Sequence, residues 1–240
     1  MPRRRKLSMY PEYLYNNDTQ DIRCQVQELA AKDEPALRAQ CLEVSRQTDT
    51  SSLALREACL SKTNAAGAVF EGMITILKEL SQSLSSEMGV FRLQNGQAVF
   101  SKVCRAVVQI EEERLRLLSC ITELTQLRRT LAESVAETNR ILHLLSIAKR
   151  AVPEELRMHY AEDTEVVENA YERLKRVDIA VCEVQKFYTT LIESHLPVFM
   201  ERLRIAADFN HTGAALDGAA IRTLCGELFI LQNRAPNVSF

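Results

Sequence analysis

Apolar residues recur every seven positions through the middle of the chain, between residues 97 and 150. A seven-residue period keeps one stripe of a helix facing a neighbour and is typical of coiled coils and long bundles. The row comprises Val103, Ile110, Leu117, Leu124, Leu131, Thr138 and Leu145. Further apolar residues widen the stripe at Leu115, Leu118, Leu127, Ile141 and Leu144. The pattern predicts a long central helix over 97–150 that contacts more than one neighbouring helix.

A second long helix is predicted before the central one, over residues 51–92. Thr50, Ser51 and Ser52 precede it, and their hydroxyls are suited to capping free amides at a helix start. Its apolar row comprises Cys59, Ala66, Val69, Met73, Ile76 and Leu80. These spacings of three, four and seven predict one buried helix face.

A third long helix is predicted over residues 154–209, after a chain reversal at Val152-Pro153. Proline is acceptable in the first turn of a helix. Pro197 lies inside the helix, where it removes one hydrogen bond, so we expect a bend there and not a break. The apolar row comprises Val167, Ala170, Leu174, Val177, Val181, Val184, Tyr188, Leu191, His195, Val198 and Ile205.

Shorter segments flank these helices. Two brief helices are predicted before the bundle, split at Glu34-Pro35 because the residue before a proline resists helical geometry. The predicted division is a basic, tyrosine-rich tail over 1–20, short helices over 21–48, a bundle over 49–209, a helix over 214–232 and a tail over 233–240. The fold class predicted is all-α, an elongated antiparallel bundle of three long helices with short helices at both ends.

Composition supports a helical fold. The 240 residues include 7 Gly and 6 Pro, too few to supply the frequent turns of a many-stranded protein. The formal net charge of -2 gives no global attraction for nucleic acid, so nucleic-acid binding is not expected. The 7 cysteines are an odd number and lie mostly at core-like helical positions, which favours a reducing cytoplasmic setting.

Motifs for chemistry are absent from the sequence. None of the 4 histidines has a glutamate three residues before it, as a di-iron bundle requires. No cysteine pair has the C-x-x-C spacing of zinc ribbons, and no glycine-rich phosphate loop is present. We therefore predict no enzyme, no metal or cofactor and no small-molecule substrate.

Self-association is the predicted use of the apolar rows, with the chain binding itself as a homodimer or binding another helical protein. The candidate interface residues are Val103, Ile110, Leu117, Leu124, Leu131, Leu145, Val177, Val184, Leu191 and His195. His195 is interpreted as a core or interface histidine that hydrogen-bonds across the bundle; a pH-sensitive interface is the alternative.

Charged side chains interrupt the central row. Arg114 and Arg128 would destabilise the bundle if they were buried unpaired, so we expect them to pair with carboxylates or to fix the register between subunits. The acidic run over residues 111–113 is most simply a solvated face, and the alternative is a contact for a partner's basic patch.

Basic clusters suggest a contact with an anionic membrane or a partner. One cluster lies in the N-terminal tail and the other near the second chain reversal. The candidate residues are Arg3, Arg4, Arg5, Lys6, Lys149 and Arg150.

Two stretches resemble the BAR domains of sorting nexins, FSKVCRAVVQIEEERLRLL at 100–118 and EVQKFYTTLIESHLPVFMERL at 183–203. The resemblance implies an antiparallel homodimer that scaffolds curved membranes, with endosomal sorting as its setting. Two functions are therefore expected: a non-enzymatic helical scaffold of BAR-like type, cytoplasmic and peripheral on endosomal membranes, or a coiled-coil subunit of a larger cytosolic or cytoskeletal complex.

Overall fold

The computed structural model describes residues 19–87, 96–207 and 218–236. All regular elements within these ranges are helical, and the three long helices pack α2 on α3 and α3 on α4. The predicted all-α bundle is thereby confirmed. The α-helices are α1 (Thr19–Lys32), α2 (Glu34–Glu87), α3 (Gly96–Ala151), α4 (Arg157–Thr190), α5 (Leu196–Ala207) and α6 (Gly218–Gln232). Most of the predicted N-terminal tail, residues 237–240 and the predicted helix ends at 92 and 209 lie outside the described residues.

The helix α2 begins where a break was predicted, immediately after Asp33. The amide of Ala36 donates to the Asp33 carboxylate at 3.3 Å, so Asp33 caps the first turn. Pro35 falls in that first turn, where its missing N–H leaves no bond unmade.

The expected new helix start after Thr50 is wrong, because α2 continues through this region without interruption. The Thr50 hydroxyl donates to the carbonyl of Arg46 at 2.9 Å. The Ser52 hydroxyl donates to the carbonyl of Asp49 at 2.7 Å. These hydroxyls bond inside the helix and cap nothing, so the second short helix and the first long helix are one element.

The reversal after α3 occurs at the predicted place, but α4 starts later than residue 154. Pro153 precedes a short 3₁₀ turn over Glu154–Leu156, and the α-helix begins at Arg157. A 3₁₀ turn at a helix entrance is common because its tighter bonds satisfy terminal amides.

Packing divides the chain into two compact units that cut across the long helices. Unit 1 comprises Met1–Ala58 and Arg129–Asp178. Its core draws residues from α1, α2, α3 and α4, and includes Val26, Leu37, Cys41, Val44, Ile141, Leu144, Leu145, Ala148, Tyr160 and Val167. Ile141 and Leu144 of the widened stripe of α3 are buried among several helices here, as the sequence predicted, whereas Leu115 and Leu118 are exposed, so the prediction is wrong for those two residues.

A polar network lies inside unit 1. The Arg38 guanidinium pairs with the Asp163 carboxylate, and the Ser45 hydroxyl donates to the Asp163 carbonyl at 3.3 Å. The Tyr160 hydroxyl donates to a Glu34 carboxylate oxygen at 3.0 Å. Burial raises the pKa of Asp163, although Arg38 opposes this shift. These bonds satisfy groups that would otherwise be costly to bury.

Unit 2 comprises Cys59–Arg128 and Ile179–Phe240. Phe70 of α2 packs edge-to-face against Phe187 and Tyr188 of α4, with ring centroids 6.1 and 6.0 Å apart. The amide of Gln185 donates to the Thr125 hydroxyl at 2.6 Å, which links α4 to α3. Aromatic side chains therefore join α2 to α4 in this unit.

Candidate interaction surfaces

The apolar rows form the core of a single chain. Nine of the ten predicted interface residues have at most 3% of their surface exposed. They are Val103, Ile110, Leu117, Leu124, Leu131, Leu145, Val177, Val184 and Leu191. Since α2, α3 and α4 already cover these side chains, a contact between copies must use other residues.

His195 is the exception, because its side chain is exposed. The interpretation as a core histidine is therefore wrong, whereas a place in an interface, pH-sensitive or not, stays a prediction. The segment Leu191–His195 forms a π turn between α4 and α5. Pro197 has no N–H for the usual bond to residue 193, and a π turn accommodates such a gap by adding one residue to the helix. The added residue rotates the following side chains by about 100°, so Leu196 enters the core in place of His195.

Because of the same rotation, the prediction that Val198 and Ile205 continue the third apolar row is wrong. Val198 and Ile205 are each 58% exposed. The core positions of α5 are instead Leu196, Phe199, Met200 and Leu203. Phe199, Met200 and Leu203 follow Leu196 by three, four and seven residues, which is the spacing of one helix face. This separate stripe was the sequence signal for the shift. The helix continues through Pro197 without a break, while the predicted bend stays a prediction.

Arg114 makes the carboxylate pair that the sequence predicted. Its guanidinium donates to both Glu111 carboxylate oxygens at 2.9 and 2.6 Å. This hydrogen bonding lowers the pKa of Glu111 and raises that of Arg114. Arg128 is half-buried. Whether either residue fixes a register between subunits stays a prediction.

The outward face of α3 in unit 2 carries three exposed apolar side chains. Val108, Leu115 and Leu118 are 58%, 55% and 45% exposed. Their separations of seven and three residues place them along one side of the helix. Glu112 is exposed on this face, while Arg116 pairs with Glu113 at 2.8 Å. We call Val108, Leu115 and Leu118 the outer stripe.

Two cavities lie beside the π turn, where α4 and α5 meet the end of α6. The first has a volume of about 340 Å³ and is lined in part by Phe187, Leu191 and Leu231. The second has a volume of about 260 Å³ and is lined in part by Val198 and Phe199. His195 and Leu231 line both cavities. The rotation caused by the π turn therefore places His195 between two apolar depressions.

Buried thiols are poor candidates for nucleophilic chemistry. Burial is the main cause that raises the pKa of Cys41 to about 12 and that of Cys225 to about 11. A thiol with such a pKa is overwhelmingly protonated near neutral pH. In the part of the chain that the structure describes, no three His, Cys, Asp or Glu side chains are grouped as metal ligands would be.

The predicted basic contacts receive little support from their surroundings. Lys149 and Arg150 lie in the last turn of α3, where cations interact favourably with the helix dipole. Exposed Glu154 and Glu155 lie in the 3₁₀ turn that follows Pro153, so this stretch of the chain carries charges of both signs. Residues 3–6 lie outside the described ranges. Among the described helices, none combines the length and apolarity needed to cross a bilayer.

Comparison of the chain with protein-family models, curated proteins and solved structures finds no match. The resemblance to BAR domains therefore stays a prediction.

Proposed function

We propose that this chain is a non-enzymatic helical scaffold that self-associates weakly through the outer stripe of α3. The observation that supports the proposal is the exposure of Val108, Leu115 and Leu118 on one side of a helix whose opposite side is fully packed. Isolated apolar residues are common on protein surfaces, but an aligned row on a rigid helix is suited to receive another helix.

Charge complementarity selects a second copy of the chain as the occupant. Glu112 and Arg116 lie on the same flank of Leu115, one before it and one after it. When two identical helices cross antiparallel near Leu115, the same flanks face each other, so Glu112 of each copy lies beside Arg116 of the other. Within the described residues Glu112 makes no ion pair. The exposed Arg116–Glu113 pair is weak enough to rearrange.

The size of the contact sets its strength. A stable interface buries about 800 Å² on each partner, more than three side chains on one helix provide. We therefore expect a weak dimer whose population rises with protein concentration. A scaffold with this property assembles where it is concentrated and dissociates elsewhere.

Sedimentation velocity over about two decades of concentration tests the proposal. The average mass should rise from that of a monomer toward that of a dimer. Glu112→Arg should suppress the rise because it places like charges opposite each other, and so should Arg116→Glu. The double variant restores the pairing with opposite polarity and should dimerise again. A charge reversal on another helix, Glu172→Arg, is the matched control and should change nothing.

A constant monomer mass at all concentrations would overturn the proposal. Equal loss of dimer in both single variants and in the double variant would overturn the antiparallel pairing specifically. The endosomal-membrane role that the BAR resemblance implies stays a prediction, and co-sedimentation of the same samples with anionic liposomes tests it. Pelleting that weakens with salt is the result expected of a membrane-binding scaffold.

A further inference from the structure

The first of the two cavities beside the π turn combines apolar walls with unpaired charge. Lys186 and Arg234 line the first cavity together with a single carboxylate, Glu183. In the described part of the chain, neither the Lys186 ammonium nor the Arg234 guanidinium has a hydrogen-bond or ion-pair partner. The side chains lining this cavity therefore carry two cations against one anion, beside an apolar interior.

The second cavity carries no comparable excess of charge. The Arg202 guanidinium there donates to both Glu227 carboxylate oxygens at 2.8 and 3.1 Å, which also ties α5 to α6. The remaining space is bounded by Val198, Phe199 and Leu228. An apolar side chain suits this cavity, whereas an apolar side chain next to a carboxylate suits the first.

We propose that the two cavities form one docking groove for a short extended segment of a partner protein that combines acidic residues with apolar anchors. Alternate side chains of an extended chain point the same way and lie about 7 Å apart. Two such anchors would enter the two cavities on either side of His195 and Leu231, which line both. A carboxylate two residues from the anchor in the first cavity points the same way as the anchors, so it would pair with Lys186 and Arg234.

This groove is independent of the outer stripe on α3, because the two surfaces share no residue. The proposed peptide groove therefore does not depend on the proposed self-association. It adds a second kind of contact, in which the scaffold holds a different chain by a linear segment.

Fluorescence anisotropy with synthetic peptides tests the groove on the full chain. The probe is a labelled octapeptide in which every second residue faces the groove, in the order glutamate, glutamate, leucine and leucine, with serine at the positions between them. Its counterparts replace glutamate by lysine, or leucine by serine. The acidic apolar peptide should bind, and the lysine peptide should bind at least about fivefold more weakly, the factor expected when a partly exposed charge pair is lost. The serine peptide should also bind at least about fivefold more weakly, because it no longer buries leucine side chains in the cavities.

Charge variants locate the binding. Lys186→Glu and Arg234→Glu should each weaken binding by about fivefold or more, and Glu183→Gln should strengthen it by about twofold. Arg176→Glu, an equal charge change on α4 outside the groove, should have no effect. Circular dichroism of each variant confirms that the helices are retained.

Three results would overturn the inference: no binding of the acidic peptide at the highest soluble protein concentration, equal binding of the lysine peptide, or binding that the Lys186 and Arg234 variants leave unchanged. Since none of these measurements depends on dimer formation, they leave the outer stripe untested and separate the two proposals.

Discussion

Unit 1 keeps charged and hydroxyl groups inside its helix bundle, whereas the described interior of unit 2 has two buried hydroxyl groups, those of Thr63 and Tyr188, and no buried charged side chain. In unit 1 the polar groups bond to one another across helices, as Arg38 does with Asp163. In unit 2 the cross-helix ion pairs, such as Arg202 with Glu227, lie at the surface. One set of continuous helices therefore supports two kinds of interior.

This difference between the interiors of the two units bears on where each unit is rigid and where it offers surfaces for binding. Polar networks in a core favour one arrangement of the helices, because any other leaves a buried group unsatisfied. Unit 2 relies on apolar packing, which tolerates local changes such as the π turn, and it carries both the outer stripe and the two cavities. Both proposed contact surfaces therefore lie in unit 2.

The largest effect is expected from a charge in the apolar interior of unit 2. Leu124→Asp places an unpaired carboxylate at a fully buried position and should lower the free energy of unfolding by more than about 4 kcal/mol. Ile179→Asp, at an exposed position of the same unit, is the control and should change it by less than about 0.5 kcal/mol. Urea denaturation followed by circular dichroism measures both, and equal effects would contradict the assigned core.

The register after the π turn gives the next effect in size. Leu203→Ala should cost about 3 kcal/mol because it leaves a cavity in the core, while Ile205→Ala should cost less than about 0.5 kcal/mol. The apolar row predicted from the sequence, which has no π turn and includes Ile205, would make Ile205→Ala the more destabilising substitution. Thermal and urea unfolding of this pair of variants therefore tests the rotation directly.

A smaller, pH-dependent effect is expected in unit 1. Arg38→Ala removes the cation beside the buried Asp163 carboxylate and should cost about 2 kcal/mol near neutral pH, since the pair is partly exposed. Burial already raises the pKa of Asp163 above its ordinary value, and loss of Arg38 raises it further.

The sign of the pH dependence follows from linkage. With a raised folded-state pKa, the folded protein binds the proton more tightly, so the contribution of Asp163 is most favourable at low pH and declines as pH rises through that pKa. The deficit of Arg38→Ala relative to wild type should therefore be smaller at about pH 4 than at neutrality. A deficit that grows on acidification would show that the pair acts differently.

The smallest effect tests the tolerance of unit 2. Gly67 lies in the interior of α2, and a Cβ there would meet the Tyr188 hydroxyl oxygen at 3.7 Å, an ordinary contact. Gly67→Ala should stabilise the protein by about 0.5–1 kcal/mol because alanine restricts the unfolded chain and favours helix. Differential scanning calorimetry should show a higher melting temperature. A lower one would mean that the aromatic cluster cannot accept the methyl group.

The central helix could be predicted from sequence because its seven-residue row is local information. All of Val103, Ile110, Leu117, Leu124 and Leu131 are buried as the pattern required. The row does not specify whether helices of the same chain or of another chain pack against it, since both kinds of packing use the same spacing. That ambiguity made core residues look like an interface.

Other features depend on information that a periodic pattern does not contain. The pairing of Arg38 with Asp163 joins positions 125 residues apart, so no local motif marks it. The π turn at Leu191–His195 was indicated by Pro197 and by the new stripe from Leu196, but a continuous row through His195 fitted the sequence as well. The cavities follow from that turn and were beyond prediction for the same reason.

Two neighbouring leucines of α3 test the central claim most directly, that the buried row is the chain's own core and the outer stripe is the contact between copies. Sedimentation velocity and urea unfolding should be measured on Leu115→Glu and Leu117→Ala. We predict that Leu115→Glu keeps its stability and loses the concentration-dependent rise in mass, while Leu117→Ala loses about 3 kcal/mol of stability and still self-associates. Dimer loss in Leu117→Ala with an unchanged dimer in Leu115→Glu would contradict the account.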